Sequence, residues 1–182
     1  TADFYQKIIQ ATPAKADQDH VKVLIFSTPH IPDRTAAIRG EGPDPLPALV
    51  ASAETLIRAG ADFLTIPCVT AHHFFDELQA AVTVPILHMI RETARAVAER
   101  FPQSRAIGLL ATSGTIRSGL YEKEFATLGR RTIVPDEAVE RDFVMKAIAL
   151  IKSGETGREC ADLLAVAGAH LEDKGAQVLV LG

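Results

Sequence analysis

Cysteine, methionine and aromatic residues are all scarce in this chain, which holds two cysteines, two methionines, two tyrosines, eight phenylalanines and no tryptophan in 182 residues. Two cysteines, Cys68 and Cys160, are too few for a disulfide framework, and in a reducing compartment both are free thiols. No CxxC or His-x-x-His spacing is present, so no metal is expected. Long apolar runs are missing too. None approaches the roughly 18 residues that span a bilayer, and no charged-then-apolar leader precedes the first helix-like segment. The chain therefore reads as soluble and cytoplasmic, with no membrane partner. Basic runs are also lacking: 19 Lys+Arg against 23 Asp+Glu give a formal net charge of −4, which argues against nucleic acid and acidic lipid surfaces. An anionic ligand would need locally placed positive groups.

What is present is an alternation of short β-branched or apolar runs with longer segments of 3.6-residue periodicity, on a composition that is 47% hydrophobic and 23% charged. That order is the mark of an α/β fold with parallel sheets and crossover helices. Strands are expected at 21–27 (VKVLIFS), 62–67 (DFLTIP), 84–89 (VPILHM), 106–111 (AIGLLA), 132–135 (TIVP) and 177–182 (QVLVLG). Helices are expected between them. Asp33 offers an N-cap for a short helix stopped by Gly40. Leu49, Val50, Ala53, Leu56 and Ile57 share one face of the next, which Gly60 stops. Further helices are expected at about 71–82, around Ile90 to Phe101, and at 115–129, 137–152 and 156–174. No Pro-, Gly- or Ser-rich linker interrupts the pattern, so a boundary between two α/β domains, 1–90 and 91–182, falls at a compact crossover near 88–92.

The two ends match each other in one respect. AGADFLTIPC (59–68) and KGAQVLVLG (174–182) share a helix stop at Gly, then Ala, then an apolar strand; aligned on Gly60 and Gly175, Pro67 falls on Gly182. The echo is either coincidence, since Gly-Ala before a buried strand is common, or the trace of two similar halves. In the second case the position matching Cys68 is the one after Gly182. The chain opens inside a helix pattern and closes on a strand, so both edges read as cut, with a strand and turn expected ahead of Thr1.

In open parallel sheets ligands gather beyond the carboxyl ends of strands, where loops and helix N-termini converge. Cys68 lies at such an end, with Thr70 able to cap the helix that follows. Ser27, Thr28, His30 and Arg34 follow the first strand, and Thr112, Ser113 and Thr115 follow 106–111. Hydroxyls, amides and one arginine suit a small carboxylate ligand.

The stretches RAGADFLTIPCVTAHHFFDEL, STPHIPDRT and IGLLATSGT resemble the aspartate/glutamate racemase family over essentially the whole chain. The usual family forms are Pro-Cys-Asn-Thr-Ala-His after the second strand and Gly-Cys-Thr-Glu after a later one. The resemblance implies a cofactor-independent enzyme of two similar α/β domains with the active site in the cleft between them. A cysteine thiolate removes the α-proton from one face of an acidic amino acid and a second thiol returns a proton to the other. By that resemblance Cys68 is one acid/base group, Thr70 with Thr112 and Thr115 holds the α-carboxylate, Ser27 lies among the binding residues, and Arg34 faces the side-chain carboxylate bidentately. Lys152 is similar to a lysine that some aspartate-specific members use near that second carboxylate. Val69 departs from the pattern: it stands where the family usually has Asn and offers only backbone groups. Relatives often pair, so a homodimer is among the expected assemblies.

Other readings stand beside these. A cysteine at a strand end can be a small buried hydrophobe. Cys160, in register with Leu164, Ala167 and Leu171, is read as core. Thr112 and Thr115 are ordinary capping types, and a lysine near a helix C-terminus follows from the dipole alone. Arg34 could be a solvated residue at a helix start. His72 and His73 read as partly buried aromatics, and His88 as a hydrogen-bonded core histidine rather than a catalyst. Three functions remain distinct: racemisation of aspartate or glutamate, cysteine-dependent isomerisation or decarboxylation of a dicarboxylate, and binding of a carboxylate without chemistry.

Overall fold

A computed structural model describes every residue from Thr1 to Gly182. The first helix, α1 (Ala2–Ala11), is amphipathic but has no fully buried residue. After it, residues 21–28 run without any strand pairing. The short helix α2 (Arg34–Ile38) starts as expected at Asp33, whose carboxylate accepts the Ala36 amide at 2.7 Å. Helix α3 (Leu46–Arg58) buries Leu49 and Ala53. Two short parallel strands follow, β1 (Leu64–Thr65) and β2 (Ile86–Leu87), with Leu64 opposite Ile86. Between them lie a 3-10 helix at Val69–Phe74 and α4 (Phe75–Ala81). Gln79 closes the far edge of β2, since its side chain accepts the Ile86 amide at 2.8 Å and donates to the Val84 carbonyl at 3.1 Å.

Helix α5 (Met89–Arg100) leads into the second sheet. There β3 (Ala106–Leu110) is buried along its whole length, as a central parallel strand must be. It lies between β4 (Arg131–Ile133) and β5 (Val178–Leu181), all parallel. Helices α6 (Ser113–Ser118) and α7 (Leu120–Thr127) connect β3 to β4. The return to β5 runs through α8 (Glu137–Val139), a π-helical turn at Glu140–Met145, α9 (Lys146–Ser153) and α10 (Arg158–Asp173). One core cluster joins Leu49, Ala53, Leu64, Leu78 and Ile86 around the first sheet. The second sheet is covered on its two faces by separate clusters, one built on Ile90, Ile107 and Phe125, the other on Leu110, Val144 and Leu171. None of the helices is long and apolar enough to cross a membrane.

Three sequence expectations are corrected here. The apolar run 21–27 forms no strand: a strand needs a partner's backbone, and Val21, Leu24, Ile25 and Phe26 remain 41–55% exposed. The helix expected at 115–129 is two helices, because Gly119 takes the left-handed conformation at φ 64° and ends α6. The helix expected over 71–82 starts earlier, as a tighter 3-10 segment. By contrast, the echo at 59–68 and 174–182 is realised in the backbone. Gly60 (φ 93°) and Gly175 (φ 90°) each end a helix. Behind them the Ala61 amide bonds Leu56 O at 3.1 Å and the Ala176 amide bonds Leu171 O at 2.9 Å. Each helix is thus closed by the same glycine turn and leads directly into a parallel strand.

Candidate active site

Cys68 follows β1 and serves as N-cap of the 3-10 helix, with extended backbone (φ −148°, ψ 106°) and no side-chain cap bond. Thr70 does not cap the helix, as the sequence suggested; it lies inside it, and its hydroxyl is 3.4 Å from the Cys68 sulfur. A hydroxyl at that distance can donate to a thiolate and so stabilise the anionic form of the base.

The thiol opens on a cavity of about 320 Å³. Its floor, including Leu49, Ala53, Leu64, Leu78 and Ile86, is apolar and offers a charged ligand nothing. Its polar rim holds Ser27, Thr28, Arg34 and Cys68, so the chemistry belongs to the rim. Arg34 is half-buried, pairs with no carboxylate, and donates from Nη1 to the carbonyls of Ile31 (3.1 Å) and Pro32 (2.9 Å). Those bonds fix the guanidinium beside the loop while its positive charge stays uncompensated. Thr28 is tied to α3 by a 3.4 Å contact with the Ser52 hydroxyl.

Thr112 and Thr115 come from the second half of the chain. Thr112 caps α6, its hydroxyl accepting the Thr115 amide at 3.2 Å and lying 3.0 Å from the Thr115 hydroxyl. They do not line the cavity but start the helix that packs against both α2 and the 3-10 helix. That approach is close: a Cβ on Gly114 would fall 2.8 Å from the Thr35 hydroxyl oxygen. The cavity rim therefore draws on two helix starts of the first half, and the start of α6 from the second half packs against them without lining it. Val69 points away from a ligand role, since its side chain packs on the apolar cluster of Ile107, Leu109 and Ala111. Lys152 is not brought in. It is exposed in the last turn of α9, where the helix dipole alone favours a cation. Cys160 is core as expected, 5% exposed and donating to the Glu155 carbonyl at 2.9 Å.

One residue next to the thiol was underrated by its sequence pattern. His72, read as a partly buried aromatic, is 1% exposed and bonds both the Cys68 carbonyl (3.0 Å) and the Met89 amide (3.1 Å). The only local signal is its position four residues after Cys68, which sets the ring near that carbonyl. His88 caps α5 through Nδ1, which accepts the Arg91 amide at 3.2 Å. Burial lowers the proton affinity of both rings below the usual 6.5; the neighbouring His88 lowers that of His72 further, and the Arg91 guanidinium lowers that of His88. No group of three or more His, Cys, Asp or Glu side chains is placed to hold a metal ion.

The fold and rim define a class: a protein of two parallel α/β halves, with a thiol just past a strand end and an unpaired arginine lining the same cavity. The family model described as Asp/Glu/Hydantoin racemase matches residues 1–182, and the chain belongs to that family. It is 32% identical over 152 residues to the broad specificity amino-acid racemase RacX of Bacillus subtilis (strain 168), covering 82% of this chain and 62% of that relative. It is 29% identical over 147 residues to a glutamate racemase of Corynebacterium kroppenstedtii, covering 78% of this chain and 49% of the other. The structure of Picrophilus torridus aspartate racemase matches with a TM-score of 0.85 at 27% identity, over 98% of this chain and 73% of that one. The chain thus spans between about half and three-fifths of the length of these two curated relatives.

Proposed function

We propose that the protein interconverts the two mirror-image forms of an acidic amino acid, aspartate or glutamate, without a cofactor, using Cys68 as one of two acid/base groups. The observation that carries this reading is the pairing, on one cavity rim, of an accessible thiol with an arginine that has no carboxylate of its own. A substrate carboxylate supplies the missing anion. In the forward step the Cys68 thiolate takes the α-proton: the C–H bond breaks, S–H forms, and the electron pair is left on the α-carbon conjugated with its carboxylate. A second acid on the opposite face then donates a proton to that carbon, and a thiolate remains there. The position equivalent to Cys68 in the second half, at the C-terminal end of β5, is where the echo places that acid. Thr70 stabilises the thiolate. The halves 1–90 and 91–182 act as the two walls of the cleft.

The test is circular dichroism on L-aspartate and L-glutamate with the full-length protein, run beside Cys68→Ser. Loss of optical change in the variant is expected, with deuterium from D2O appearing at the α-carbon only in the wild type. Wild-type rates in Cys68→Ser would sink the proposal. Conversion of a dicarboxylate without α-exchange would instead favour cysteine-dependent isomerisation or decarboxylation.

A further inference from the structure

His72 stands between two backbone groups that fix its chemistry. The Met89 amide can only donate, so Nε2, 3.1 Å away, is the accepting nitrogen. The ring proton therefore sits on Nδ1 and is donated to the Cys68 carbonyl at 3.0 Å. Neither nitrogen is free to trade a proton with a substrate, and burial holds the ring neutral. The surroundings keep it in place. Its ring lies 5.9 Å from and nearly parallel to that of Phe75, and meets His88 edge-on at 5.0 Å.

The two bonds connect different parts of the molecule. Cys68 lies just past the first-sheet strand β1, whereas Met89 is the first residue of α5, whose Ile90 and Ala94 sit in a second-sheet core. The Met89 amide is one of the first-turn donors that a helix cannot satisfy internally. The Cys68 carbonyl also accepts the Ala71 amide at 3.2 Å, so His72 adds a second, longer-range restraint to the same peptide. A fixed carbonyl fixes the backbone of Cys68 and with it the direction of the Cα–Cβ bond that carries the sulfur.

We infer that His72 is a positioning residue, a neutral strut that holds the Cys68 peptide in register with the start of α5 and so aims the thiol. This rests on the proposed acid/base role of Cys68, and the experiment separates the two. Nitrogen-15 NMR of the wild-type protein is expected to show His72 as the Nδ1–H tautomer throughout pH 6–8, a range set by the ordinary histidine value. Met89→Pro removes the amide N–H together with the partly buried methionine side chain, at a helix position where proline is tolerated and after a residue already extended (His88 ψ 94°). Both Met89→Pro and His72→Gln are expected to lower kcat about 10- to 100-fold with KM nearly unchanged, the size expected of a misaimed group. Both should also change the rate at which iodoacetamide alkylates Cys68 in the folded protein, a readout that does not depend on turnover. If racemisation is absent in the wild type but the tautomer and alkylation results hold, the strut stands and the proposed activity does not. An Nε2–H tautomer, a His72 that titrates within that range, or a folded His72→Gln variant with wild-type alkylation and kcat would overturn it.

Discussion

The side chain bonded to the Cys68 sulfur is the Thr70 hydroxyl, not a cation. A hydrogen bond to a charged group contributes about 1.5 kcal/mol or more, so Thr70→Val should slow turnover about 10-fold at unchanged fold, as steady-state kinetics would show. Val69 makes the opposite kind of contact. Because it packs on the Ile107 and Ala111 cluster, installing the family's usual residue, Val69→Asn, should destabilise the protein by about 1–2 kcal/mol in denaturant unfolding. The buried imidazoles set a pH dependence. His72 and His88 both bind protons less readily folded than unfolded, so the unfolded chain takes up more protons in the window below 6.5. Stability is complete above that value and falls as pH drops through it toward the folded values. Thermal melts from pH 8 to 5 should show the decline, and His72→Gln should flatten it. The placement of Cys68 just past a strand was legible because that motif is local, running from a strand end into a turn. The bonding of His72 was not, because its second partner, Met89, lies 17 residues away.

Among the elements, those whose signals are local were legible and those that depend on distant partners were not. Asp33, Gly60 and Gly175 mark their helix ends in sequence and do so in space. The apolar run of β3 is long enough to read as a buried strand and is one. Gly119 was overlooked because one glycine inside a periodic stretch reads as a tolerated interior residue until its left-handed φ is seen. Arg130 gave no signal at all, since arginine is seldom buried. It is 6% exposed and closes the C-terminal end of α5, with Nη1 donating to Phe101 O (3.0 Å) and the Ser104 hydroxyl (2.6 Å) and Nη2 to Ala98 O (3.3 Å). No carboxylate is needed, because the negative end of the helix dipole takes that place. Arg130→Met should cost about 2–3 kcal/mol in chemical unfolding, by leaving buried acceptors without a donor.

At the scale of the molecule, two parallel sheets share one helix, α5, whose first amide bonds His72 and whose Ile90 and Ala94 lie in the second core. The two-half architecture was legible through the repeated glycine turns, but the strand at 21–27 was not realised, because hydrophobic pattern alone cannot supply a hydrogen-bonding neighbour. That segment lies opposite β1 across grooves lined on one side by residues 21–24 and 26–28 and on the other by Leu64 and Thr65. Its backbone is therefore an open template. VKVLIFS is rich in β-formers, holds one charge and has no proline, the profile of a segment that recruits another strand edge to edge. A chain with this template uncovered should self-associate as its concentration rises. Ile25 is 48% exposed and lines neither groove, so Ile25→Lys should suppress light scattering without loss of helical signal. The same extended backbone that carries Ser27 to the rim thus makes colloidal stability depend on whatever strand lies against it.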